Sequence, residues 1–83
     1  MTITVYTKTN CQQCTATKRW LDKRGHTYQT INLEESLDDL AAIQKLGYAQ
    51  APVVVVSRRG GPDVHWSGFN PIELSEYIGE VAA

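Results

Sequence analysis

Cysteines stand at positions 11 and 14, in the stretch "CQQC", and the chain has no others. Thiols at this spacing support three chemistries: metal ligation, a structural cross-link or a reversible dithiol–disulfide couple. Zinc takes about four ligands. The remaining soft donors, His26 and His65, fall at no compact metal-binding spacing and read as turn or edge-strand residues. A structural disulfide here would close a very short loop and add little stability. The redox couple is therefore the favoured reading, with a metal or iron–sulfur carrier as the alternative of a different class.

What a thiol can do depends on what holds it. "TITVYT" (2–7) is β-branched and alternating, which predicts a strand. The polar loop "KTNC" follows, with Asn10 the expected N-cap of a helix running from Gln12 to Arg24. Cys14, Thr17 and Leu21 share one face of that helix, Trp20 lies beside them, and Gly25 supplies the stop. Cys11 thus falls at a helix N-terminus, where unpaired N–H groups and the helix dipole favour an anion. An ordinary cysteine, with a pKa of about 8.5, is only about 3% thiolate at pH 7, whereas a pKa near 7 gives about half. Lys8, three residues upstream, adds a modest charge effect. The two-residue spacer brings Cys14 round one turn, so Cys11 is the expected exposed nucleophile and Cys14 the buried resolving thiol.

The remaining elements complete the frame. "TYQTINL" (27–33) predicts a second strand and "EESLDDLAAIQKLG" (34–47) a second helix, with Leu37, Leu40 and Ile43 along its buried side. Glu34, Glu35, Asp38 and Asp39 suit the positive end of that helix better than a metal. "APVVVVS" (51–57) is apolar throughout, as a strand buried on both faces would be. "RRGGPD" predicts a solvated turn and "VHW" (64–66) a short returning strand. "NPIE" (70–73) is a helix start, with Asn70 as cap, Pro71 at the first position and Glu73 closing a capping box. Leu74, Tyr77, Ile78 and Val81 then form the stripe that seats the last helix. The order β-α-β-α-β-β-α implies a parallel pair joined by a helix, an antiparallel hairpin, and helices on both faces of the sheet.

With 83 residues the chain makes one domain, 1–83, with a thin core: folding at this size buries roughly 60% of the extended surface. The net charge is −1 and the pI near 6.0, and lysine and arginine gather on no predicted helix face. A nucleic-acid or anionic-membrane surface is not expected. No signal peptide and no run of about 18 apolar residues is present, so a cytoplasmic protein is expected. Thiols there are kept reduced, which again favours catalysis over a structural bridge.

The strand–CxxC–helix start, the "AP" before the third strand and "WSGFNP" before the last helix together resemble the glutaredoxin/thioredoxin superfamily over nearly the whole chain. Within it the likeness is strongest to the NrdH-type redoxins, carried by "YTKTNCQQCTATKRWLDKRG" and "APVVVV…WSGFNP". The resemblance implies a thioredoxin-like fold: a four-stranded mixed sheet flanked by three helices. Pro52 is similar to the family's cis-proline beside the dithiol, and the Ala51 backbone would pair with an extended cysteine-bearing peptide. Ala51 departs from the more polar residue common in glutaredoxins. Gly68 matches the glycine of the glutathione-binding turn, but Phe69 and Asn70 follow it where glutaredoxins carry acidic residues. A glutathione ammonium would lack its partner. Trp66 and Phe69 would instead offer apolar surface to a protein, and Ser67 would hydrogen-bond within the turn.

The family likeness implies a monomeric dithiol reductase that supplies electrons to class Ib ribonucleotide reductase and is itself re-reduced by thioredoxin reductase. NADPH and flavin would reside in that reductase, with no cofactor bound here. The nearest alternative is a glutaredoxin-type reductase of mixed disulfides that uses a small thiol.

Overall fold

The computed structural model describes residues 1–80. Strand β1 spans Thr2–Thr7, helix α1 Gln12–Lys23, strand β2 Gln29–Asn32 and helix α2 Leu37–Lys45. Strands β3, Val53–Ser57, and β4, Val64–Ser67, precede helix α3, Pro71–Tyr77. The sheet order is β2-β1-β3-β4. β1 runs parallel to β2, with Val5 opposite Thr30, and antiparallel to β3, with Val5 opposite Val54. β4 closes the edge antiparallel to β3, placing Trp66 against Val54. This is the mixed thioredoxin-like sheet in the expected element order.

β3 is apolar because both its faces are covered. Val54 and Val56 join Ile3, Val5, Trp66 and, from the helices, Trp20, Leu21 and Leu74 in the larger core. Val53 turns the other way, toward Leu33 and Ile43 beneath α2. α1 and α3 therefore cover one face of the sheet and α2 the other. Leu21 is wholly buried, and its truncation to alanine would cost about 2–5 kcal/mol. Val81, expected at the end of the α3 stripe, lies outside the described residues.

Several boundaries differ from expectation. Residues 27 and 28 are not strand: β2 is held only along Gln29–Asn32, where β1 offers partners. α2 begins three residues later than expected because Ser36 caps it, its Oγ accepting from Asp39 N–H at 3.4 Å. Glu34 and Glu35 consequently lie ahead of the helix, while Asp38 and Asp39 occupy its first turn. Leu37, expected on the buried side, is 77% exposed: it is the first residue of α2, and the helix buries Ile43, further along, instead. β3 starts at Val53, after Pro52, which has no N–H to give a ladder. Arg19, Lys23 and Arg24 line one hollow together with Ala16, Trp20 and Phe69. α1 thus does present clustered cations: Arg19 and Lys23 stand one turn apart, and Arg24, at the helix C-cap, is drawn to the same hollow by lying over the Trp20 ring. Among the described residues no helix is long and apolar enough to cross a membrane.

Candidate functional site

β1 delivers the chain to the site through a tight turn. Asn10, expected as the helix cap, instead takes a left-handed conformation with φ 56°, which asparagine tolerates better than most residues. The cap is Cys11 itself: its backbone is extended and its Sγ accepts from the N–H of Cys14 at 3.1 Å. The nucleophile candidate thereby fills the post usually held by a serine or aspartate oxygen. A donor aimed at sulfur favours the thiolate once the pair is reduced. Ala51 O, 3.8 Å from the same sulfur, opposes that effect by its partial negative charge.

Cys11 and Cys14 are joined as a disulfide with their Cα atoms 5.2 Å apart. Cys11 is half-buried and Cys14 is 1% exposed. An incoming thiolate or disulfide can therefore reach only Cys11. Thr17 Oγ1 donates to Gln13 O at 2.9 Å and Thr15 Oγ1 to Cys11 O at 3.2 Å, fixing this first turn.

Three segments from distant parts of the chain meet around the pair. The Ala51–Pro52 peptide is cis, and Pro52 O accepts from Gly68 N–H at 2.8 Å. Ser67 Oγ donates to Gln50 O at 3.2 Å, across to the segment before β3 rather than within its own turn as expected. Gln13 Oε1 accepts from Phe69 N–H at 2.9 Å. Gly68 has φ 84°, and a Cβ there would stand 3.0 Å from that same oxygen. The "SGF" turn is thus held from both sides, by the proline loop and by the redox helix.

The residues singled out in sequence divide accordingly. Lys8 and Ala51 line one hollow with Cys11, Gln12, Gln13 and Gln50. Ser67 and Gly68 are tied to this cluster, and Phe69 is 38% exposed beside it. Trp66 is not on this surface: it is 6% exposed and stacks on Tyr77 with ring centroids 6.1 Å apart. Of the two rings expected to offer apolar surface, only Phe69 does so. Trp66, opposite Val54 in the sheet, faces the α1–α3 core, whereas Phe69 lies past the end of β4 in the turn that Gln13 holds. Sequence reading missed Gln13 and Gln50. The glutamines between the cysteines looked like neutral spacers, and only the arrival of Phe69 N–H gives Gln13 its part.

Glu34 borders this region. Its carboxyl is held below the usual range by the Thr9 N–H, 2.6 Å away, with the Lys8 charge a smaller cause. Among the described residues no three histidine, cysteine or acidic side chains converge to hold a metal. His26 Nε2 is instead 2.8 Å from Gly79 O, and His65 Nδ1 is 2.7 Å from the Tyr48 hydroxyl.

A family model described as glutaredoxin matches residues 3–60. The glutaredoxin-like protein NrdH of Escherichia coli strain K12 is 39% identical over 71 residues, spanning 86% of this chain and 82% of its own. Its counterpart in Lactococcus lactis subsp. cremoris is 34% identical over 74 residues, covering 89% and 96%. Among solved structures, the E. coli NrdH-redoxin superposes with a TM-score of 0.83 at 35% identity, over 93% of this chain and 95% of that one. That protein is described as glutaredoxin-like with a thioredoxin-like activity profile.

Proposed function

The chain belongs to the glutaredoxin family, among the NrdH redoxins, and we propose that this disulfide oxidoreductase works as a dithiol reductase of protein disulfides. The Cys11 thiolate attacks one sulfur of a client disulfide, forming a mixed disulfide and releasing the first client thiolate. Cys14, as thiolate, then attacks Cys11 Sγ. The client leaves with its second thiolate, and the Cys11–Cys14 disulfide of the present structure forms. Two electrons pass to the client, and its two thiolates take up the protons that the dithiol gives up. Lys8 and Ala51, with Ser67, Gly68 and Phe69, make up the partner-binding rim, and the wholly buried Pro52 supports it from beneath.

By family likeness the client is class Ib ribonucleotide reductase, in the cytoplasm. Electrons return from NADPH through the flavin of thioredoxin reductase, and the redoxin, working as a monomer, binds neither cofactor. One observation carries the preference for a protein reductant over glutathione. The turn after Gly68 presents Phe69 and then Asn70, whose Oδ1 is spent capping α3 by accepting from Glu73 N–H at 3.1 Å. A glutathione ammonium would meet no free carboxylate there.

The test mixes the oxidised protein with NADPH and either thioredoxin reductase or glutathione plus glutathione reductase, and follows NADPH consumption. Turnover with thioredoxin reductase alone is expected. Turnover with glutathione alone would refute the reading and make the protein a small-thiol glutaredoxin.

A further inference from the structure

A second hollow, of about 210 Å³, opens beside the dithiol on the α2 face of the sheet. Leu33, Leu37, Leu40, Ile43, Tyr48 and Ala49 supply its apolar walls. It is smaller than the roughly 300–1,000 Å³ usual for a small-molecule site, so it suits a single side chain. Lys8, Gln50 and Ala51 line both this hollow and the one at Cys11, so the two adjoin across these three residues. Its outer wall is Leu37, whose 77% exposure is unrepaid by anything in the fold itself.

We propose that this hollow is a side-chain subsite for the extended client segment that carries the reducible disulfide, and that it takes an apolar residue two positions from the client cysteine. The inference rests on the protein-disulfide reading above. A client chain laid along Ala51 is extended, with side chains alternating between its two faces. With its cysteine on Cys11, the neighbours one position away point outward. The residue two positions on, roughly 6.6 Å along the strand, faces the redoxin again and passes Gln50 and Lys8 toward the leucines. The Lys8 ammonium at the junction selects against a basic residue in the intervening stretch and favours an acidic one. Glu34, the carboxylate on the rim, is engaged by Thr9 N–H and so turned to the loop after β1. Glutathione, a tripeptide with no large apolar side chain, leaves such a pocket unused, so the occupant is a protein segment.

The experiment uses the reduced full chain and short synthetic peptides. Each peptide carries one cysteine linked by a disulfide to a chromogenic thiol whose release is followed by absorbance. Peptides with leucine two positions from the cysteine, on one side or the other, are compared with those carrying alanine there and with those carrying leucine one position away. Leucine at the second position on one side is expected to raise the second-order rate about 5- to 10-fold over alanine, the gain from partly burying one leucine side chain. Leucine one position away is expected to give no such gain. Leu37→Ser, at a site too exposed to unsettle the core, is expected to remove most of the leucine advantage. Equal rates for all peptides would overturn the subsite while leaving the dithiol mechanism intact. Failure to reduce any peptide or the disulfides of insulin would overturn the mechanism, and the subsite with it.

Discussion

Replacing Gly68 with alanine tests how tightly the partner-binding turn is held. Two costs are separable there. The residue sits at φ 84°, where a Cβ costs about 1–2 kcal/mol by crowding the backbone. The added methyl would also stand 3.0 Å from Gln13 Oε1. The turn has little freedom to yield, because Gly68 N–H is anchored on Pro52 O at 2.8 Å. Gln13 must therefore withdraw, and its bond from Phe69 N–H lengthens or breaks, at about 0.5–1.5 kcal/mol.

Gly60 provides the control. Its φ is 75°, yet nothing lies within 4 Å of a Cβ built there, so Gly60→Ala carries only the backbone cost. Both variants share the same small offset from a less flexible unfolded chain. Gly68→Ala is expected to lose about 1 kcal/mol more than Gly60→Ala, or roughly 4–8 °C in Tm for a domain of this size. Urea unfolding of the oxidised proteins measures the difference. Adding Gln13→Ala to both should bring the two glycine variants together, since the oxygen they differ over is gone. Equal destabilisation of the two single variants would refute the claim that Gln13 holds this turn.

Asn70→Ala removes the cap of α3 and is expected to cost about 1 kcal/mol in the same assay; an unchanged midpoint would argue against the Asn70–Glu73 contact. Arg24 lies 3.9 Å over the Trp20 ring and pairs with Glu80 at 2.7 Å. Both contacts are partly solvent-exposed, so Arg24→Ala should lose no more than about 1–1.5 kcal/mol, with most of the loss surviving in high salt because the stacking contact is not screened like the ion pair. The Tyr28 phenol is pushed up to about 12, by burial first and then by its hydrogen bond to Asp22 and that carboxylate's charge. A folded value above the ordinary 10.0 means that its contribution is whole below pH 10 and is lost as pH rises through 12. Ultraviolet titration of Tyr28→Phe should therefore lack the last phenolate to form; an unaltered alkaline limb would contradict the assignment.

How much of this was legible in sequence depended on whether the cause was local. Thr2–Thr7, β-branched and alternating Ile3 and Val5 with Thr2 and Thr4, became β1 over those same residues. Asn70 and Pro71 begin α3 as their chemistry requires, one by capping and the other by its fixed φ. The four valines after Pro52 read as a strand covered on both faces, and they are. Where a partner from elsewhere decides the matter, sequence was silent or misleading. Asn10 is a better cap than Cys11 by residue type, but the turn out of β1 puts the sulfur, not the amide, over the first N–H groups. Trp66 and Phe69 are both large and apolar. The register of β4 against β3 sends Trp66 inward, while Phe69, past the strand end, is left beside the dithiol by the turn that Gln13 ties. Gln13 becomes a tie, and Gln50 an acceptor, only when the Ser67–Phe69 turn arrives from more than fifteen residues away.

The division of labour between the two cysteines is the centre of the account, and trapping tests it most directly. Reduced Cys14→Ser and Cys11→Ser proteins are each mixed with an oxidised protein disulfide, and the products are resolved by non-reducing electrophoresis and mass spectrometry. The geometry predicts that Cys14→Ser accumulates a one-to-one mixed disulfide through Cys11 that dithiothreitol dissolves, while Cys11→Ser, left with a thiol that is only 1% exposed, forms none. A mixed disulfide through Cys14, or undiminished reduction of protein disulfides by Cys14→Ser, would contradict it.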